Sequence, residues 1–157
     1  MTGAPEDEAV TAPDNTNWNL AQAPSAEDIL QVMQLAWETL PDEFRALCPD
    51  VTLDIDEFPD DELVEALEYE SAFELLGFFF GDDFRRSPMV LDSPVAANTF
   101  RLFRRPVLDY WAETERTLWE VITHVLVSEV GHYYGLSDHE LATIEVNAGG
   151  CQTEIIH

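Results

Sequence analysis

The stretch ERTLWEVITHVLVSEVGHYYGLSD, residues 115–138, decides how this chain folds. Leu118, Trp119, Val121, Ile122, Val125, Leu126, Val127 and Val130 cover most of the circumference of a helix running from about Glu115 to Tyr134. A helix that is apolar nearly all round has no face to give to water, so it belongs in the middle of a domain. Polar groups interrupt it. His124, Ser128 and His132 are spaced four apart and form one stripe. Glu129 lies about 100° around from Ser128, on the flank of that stripe. A carboxylate in such surroundings is costly without a partner, so Glu129 is expected to face a cavity, meet a partner or hold its proton more tightly. Gly135 can end the helix in the left-handed conformation. Ser137 and Glu140 then make an S-x-x-E box that opens a last helix over 138–146.

Working outward, Ser25 and Asp28 are spaced as a capping box. Ile29, Met33, Trp37 and Leu40 follow at helical spacing, until Pro41 stops that helix and opens a short one over 41–47. Val51, Leu53 and Ile55 alternate with Thr52, Asp54 and Asp56, which predicts a half-buried strand. Residues 61–76 read as helix with a break near Tyr69, and Gly77 and Gly81 bracket Phe78, Phe79 and Phe80 in a turn or short buried strand. Pro88 and Pro94 make 82–98 a loop. TFRLFRR, 99–105, is a second strand, ended by Pro106, which opens a short helix through Trp111. The aromatic positions Trp37, Trp111, Trp119 and Phe78–Phe80 are expected in the core. Residues 1–24, rich in Ala, Pro, Asn and acid, predict a disordered acidic tail, 25–147 a single domain, and 148–157 a C-terminal tail.

A chain of 157 residues with 46% hydrophobic content makes one domain with a real core. It has no apolar run near the ~18 residues of a membrane span. The N-terminus offers neither basic residues nor an apolar segment for secretion, so the expected compartment is cytoplasmic. Thirty-two acids face seven bases, all arginine, for a net charge of -25. That charge argues against binding nucleic acid through phosphates and against docking on an anionic membrane, and it suits a basic partner. Residues 38–83 hold sixteen acids and one Arg, whereas 85–116 hold six Arg and four acids. Arg101, Arg104 and Arg105 are therefore expected to pair with the acidic half. Cys48 and Cys151 lie far apart without a metal-binding spacing, so both are expected as free thiols.

The chemistry concentrates at Glu129, His132, Gly135 and Asp138, an E-x-x-H-x-x-G-x-x-D run. Zinc hydrolysis needs two imidazoles one helical turn apart, a Glu beside the first to take a proton from metal-bound water, and a third ligand from beyond the helix end. Here Ser128 occupies the place of the first imidazole. A neighbouring Ser128–His132 pair does not make a serine hydrolase, because a mid-helix serine lacks the exposed elbow and oxyanion donors that such enzymes use.

The motif, with Leu75-Leu76-Gly77 and Gly81 (Phe79 standing for the usual Tyr) and RLFRRP at 101–106, resembles the small bacterial zincin-like metallopeptidases, or minimal zincins, over roughly residues 27–146. Their motif is HExxHxxGxxD. The resemblance implies an α+β fold, a small mixed sheet packed on helices with the motif-bearing helix at its centre. It also implies Glu129 as general base, His132 and Asp138 as zinc ligands, and a peptide or protein substrate.

Ser128 is the departure, since a neutral hydroxyl is a poor zinc ligand beside imidazole or carboxylate. His124 is ~12 Å along the helix from His132 and cannot share its ion. It is expected in a structural or supporting role. His139, next to Asp138, is the substitute ligand to consider. The expectation is zinc bound weakly or not at all. The function expected is that of a metallopeptidase-like protein with a degenerate metal site, cleaving peptide bonds if active. The alternative is an inactive zincin fold used as a protein-binding module. Glu129 and His132 are expected to share a cleft, with Asp138 turned back toward His132.

Overall fold

A computed structural model describes residues 22–81 and 95–147. In chain order the elements are α1 (Ala26–Thr39), α2 (Asp42–Arg45), β1 (Thr52–Asp56), α3 (Asp61–Ala66), a 3-10 turn at Ala72–Glu74, β2 (Gly77–Phe80), β3 (Thr99–Phe103), α4 (Arg104–Glu113), α5 (Leu118–Tyr133) and α6 (Asp138–Glu145). The strands form a mixed three-stranded sheet in the order β1-β3-β2, with β1 parallel and β2 antiparallel to the central β3. This is an α+β fold. Most of the two predicted tails and most of the 82–98 loop, with Trp18, Cys151 and His157, lie outside the described residues.

The apolar helix is α5, and it packs on α1, α4, α6 and β2. Val121, Ile122, Leu126, Val127 and Val130 are fully buried, against the Ile29, Met33 and Ala36 face of α1 and Phe100 and Leu102 of β3. The helix starts three residues later than its apolar pattern predicts. Thr117 is its N-cap, with its hydroxyl accepting from Glu120 N–H and Glu120 reaching back to Thr117 N–H. That T-x-x-E box was readable in the sequence and outweighs Glu115 and Arg116, which have nothing to bury. The Ser25–Asp28 and Ser137–Glu140 boxes both form.

Of three other boundaries, one falls near its expected place and two differ. The helix expected over 61–76 does break near Tyr69: α3 has Leu67 as its C-cap, Glu68 enters the left-handed region at φ 64°, Tyr69 N–H bonds back to the Val64 carbonyl, and only the 3-10 turn at Ala72–Glu74 follows. The turn lets Leu63 and Leu75 bury together with Phe80 and Phe103, which one straight helix cannot do. The strand predicted over 99–105 ends at Phe103, and α4 begins at Arg104, so Pro106 falls in its first turn, where a missing N–H costs nothing. The short helix predicted over 41–47 is confined to Asp42–Arg45, with Pro41 as its N-cap.

The segregated charges meet across the sheet. Register places Asp54 opposite Arg101, and the two form an ion pair at 2.8 Å although Arg101 is only 8% exposed. Arg104 pairs with Glu57 at 3.0 Å and also donates to the Pro24 carbonyl, which ties the residues before α1 to the domain. Among the described residues Arg105 makes no ion pair and lies over the Phe58 ring. Cys48 is a buried thiol, its sulfur 3.7 Å from Asp50 Oδ1. Among the described residues no helix is long and apolar enough to cross a membrane.

Candidate functional site

The site is built where α5 ends. Gly135 takes φ +83°, and the bonds Gly135 N–H to the His132 carbonyl and Leu136 N–H to the Gly131 carbonyl close the helix. The chain then reverses into α6, which packs back along α5. Gly131 permits the approach, because a Cβ there would overlap the Leu141 side chain. Antiparallel packing matches polar groups two turns apart on each helix. His132 Nε2 lies 3.2 Å from Asp138 Oδ1, and His124 Nδ1 lies 3.0 Å from both carboxylate oxygens of Glu145. The His132 side chain is 55% exposed, so its contact with Asp138 is a solvent-screened one.

Glu129 projects about 60° around the helix from His132. It lines a cleft of about 230 Å³ between α5 and the approach to β2. Ser128, His124 and Val125 share its helical wall, while Glu74, Leu75, Leu76 and Gly77 form the opposite one and Tyr69 and Tyr110 also line it. Burial pushes the Glu129 carboxyl above its ordinary value, and the neighbouring His132 and His124 partly offset this. The two walls are close because position 77 has no side chain. A Cβ there would lie 2.8 Å from Val125 Cγ1 and 3.0 Å from Phe100 Cζ.

The sequence-derived site therefore divides. Ser128 and Glu129 stand in the cleft with His124, whereas His132 stands with Asp138 beside α6 and is not part of the cleft lining. His132 is outside the lining of that cleft but near enough for its charge to act on Glu129, and its imidazole contacts Asp138. Residues three apart project about 60° apart around a helix, and here β2 receives one and α6 the other. His139 points to neither. It lines a separate groove of about 410 Å³ between α2 and α6, with Phe44, Leu47 and Ile144. Glu145, Tyr69, Glu74 and Tyr110 were not foreseen. Only Glu145 had a signal: Asp138 and Glu145 are seven apart, nearly matching the eight from His132 back to His124.

A small mixed sheet carrying a central helix with E-x-x-H-x-x-G-x-x-D defines a metallopeptidase-like class. The sequence model of the zincin-like metallopeptidase family matches residues 48–148, and the chain belongs to that family. Helix α1, which packs on α5, lies before the matched span. No curated protein matches the chain.

The family is generally zinc-binding, which makes the donor set decisive. Beside Glu129, the candidate base, the motif supplies His132, Asp138 and the hydroxyl of Ser128, and His139, next to Asp138, lines the groove between α2 and α6. Among the described residues no three His, Cys, Asp or Glu side chains are grouped so as to hold one ion. A catalytic zinc takes three protein ligands drawn from imidazole, thiolate and carboxylate, so these residues do not fit it.

Proposed function

We propose that this protein is a zincin-like metallopeptidase relative with a degenerate metal site, and that its cleft between α5 and β2 binds a peptide segment without zinc-driven hydrolysis. The observation that carries this reading is the donor set at the motif: Ser128 in the cleft, and His132 already paired with Asp138 at 3.2 Å. Losing one imidazole from a three-ligand site removes a bond that hydroxyl and water do not replace. What survives is a recess walled by a helix and the approach to an edge strand, with a half-buried carboxylate in it.

A second reading, retained hydrolysis, is favoured by one observation. Glu129 sits in a cleft where burial raises its proton affinity, the environment that poises a carboxylate as a general base.

Metal analysis of the full chain, purified without chelator, separates the two. The binding reading expects well under one zinc per chain after dialysis against a mild chelator, and equimolar zinc would refute it. Ser128→His should then raise zinc uptake sharply, because imidazoles at 128 and 132 lie one turn apart. Uptake should weaken at acid pH, where imidazoles protonate. Peptide cleavage, if the recess accepts substrate, should appear only in the zinc-loaded variant and disappear when Glu129→Gln is added.

A further inference from the structure

We infer that the cleft beside Glu129 takes the cationic side chain, arginine or lysine, of the peptide it binds. This inference rests on the peptide-binding reading above. At about 230 Å³ the cleft is smaller than the roughly 300–1,000 Å³ of pockets that hold drug-sized ligands, so it accommodates one side chain. Its walls suit a long cation. Leu75, Leu76 and Val125 offer an apolar surface to a methylene stem. Tyr69 and Tyr110, 40% and 38% exposed, offer ring surface at which a cation is attracted. Glu74 and Glu129 provide two carboxylates for the charged end.

Among the described residues, the cations nearest Glu129 are imidazoles already paired with other carboxylates. His124 is engaged by Glu145 at 3.0 Å, and none of the described arginines lines the cleft. An apolar side chain would bury Glu129 further without adding a counter-charge, and an acidic one would be repelled. The chain's charge of -25 draws basic peptides to the surface in general, but only the cleft distinguishes where the cation goes.

The test uses a series of blocked, fluorescently labelled pentapeptides that differ only at the central residue: Arg, Lys, Gln, Leu or Glu. Binding to the full chain is read by anisotropy near physiological salt, where long-range attraction is screened. The Arg and Lys peptides should bind about tenfold or more tighter than the Gln and Leu peptides, with Glu weakest. Glu129→Gln and Glu74→Gln should each reduce that preference severalfold. Glu38→Gln, on the exposed side of α1, changes the net charge equally and should leave it intact. Equal binding of all five peptides would overturn the inference and leave the peptide-binding reading standing. A preference lost equally in Glu38→Gln would overturn it in favour of bulk charge. No binding of any peptide would overturn both.

Discussion

Replacing Gly77 with alanine adds one methyl at a close approach between α5 and the sheet. The new carbon would meet Val125 Cγ1 at 2.8 Å, Phe100 Cζ at 3.0 Å and Leu102 Cδ1 at 3.3 Å. Carbon atoms settle at about 3.5–4.0 Å, so Val125 must retreat by roughly 1 Å and Phe100 by somewhat less. Neither has room, since Phe100 and Leu102 are fully buried and Val125 nearly so. Overpacking of this kind costs about 1–3 kcal/mol. Gly77 is not in the left-handed region, so alanine adds no backbone strain and returns about 0.5–1 kcal/mol by restricting the unfolded chain. The packing cost should win by about 0.5–2 kcal/mol. For a domain of this size that lowers the melting temperature by roughly 2–6 °C, measurable by calorimetry and by urea titration at unchanged m-value. Because Gly77 and Val125 also line the cleft, peptide binding should weaken in the same variant. A melting temperature equal to or above that of the parent protein would refute the claim that the missing side chain sets the distance between helix and strand.

Three further outcomes are expected. Ser137→Ala should lose about 1 kcal/mol in thermal or urea unfolding, because its hydroxyl caps α6. Glu140 is held below the ordinary carboxylate range by its bonds to the Ser137 backbone and side chain, so its stabilisation is present above that range and lost as pH falls through the lowered pKa. In Ser137→Ala that acid-side loss should shrink but persist, since the backbone bond remains. Asp54→Ala should cost about 1–2 kcal/mol in urea unfolding, below the 3–5 of a fully buried pair, because Asp54 is 39% exposed and Asp56 stays within 4.0 Å of Arg101. Glu129→Gln should raise the melting temperature at neutral pH. Burial raises the folded-state pKa, so the charged form is penalised in the native state above that pKa, and the advantage of glutamine should vanish as pH falls through it. A pH-independent difference would show that something other than charge burial is at work.

Local signals carried much of this structure. Three helices open with boxes that link residues three apart, α5 is apolar nearly all round, and Gly135 marks the turn after it. Alternation at Val51–Asp56 and TFRLF at 99–103 located the two parallel strands. Each of these effects acts within about one turn of chain, so it survives without knowledge of the fold. The end of α3 falls where distant burial adds to local preference. The break expected near Tyr69 is made by a left-handed Glu68, which brings Leu63 and Leu75 together in one buried cluster.

The candidate site divides on the same line. The sequence by itself determined the motif residues, Ser128 in the place of the first imidazole and the burial stress on Glu129, consequences of spacing along one helix, while the family resemblance implied the α+β class. Only the tertiary structure decided that Asp54 sits opposite Arg101, forty-seven residues away. It also decided that α6 returns along α5 to set Glu145 on His124, and that Tyr69, Glu74 and Tyr110 gather around Glu129. Those groups are brought together by the packing of separate elements on a shared core, and the free energy that selects their partners is summed over the whole buried surface. A window of sequence holds too little of that surface to reveal them.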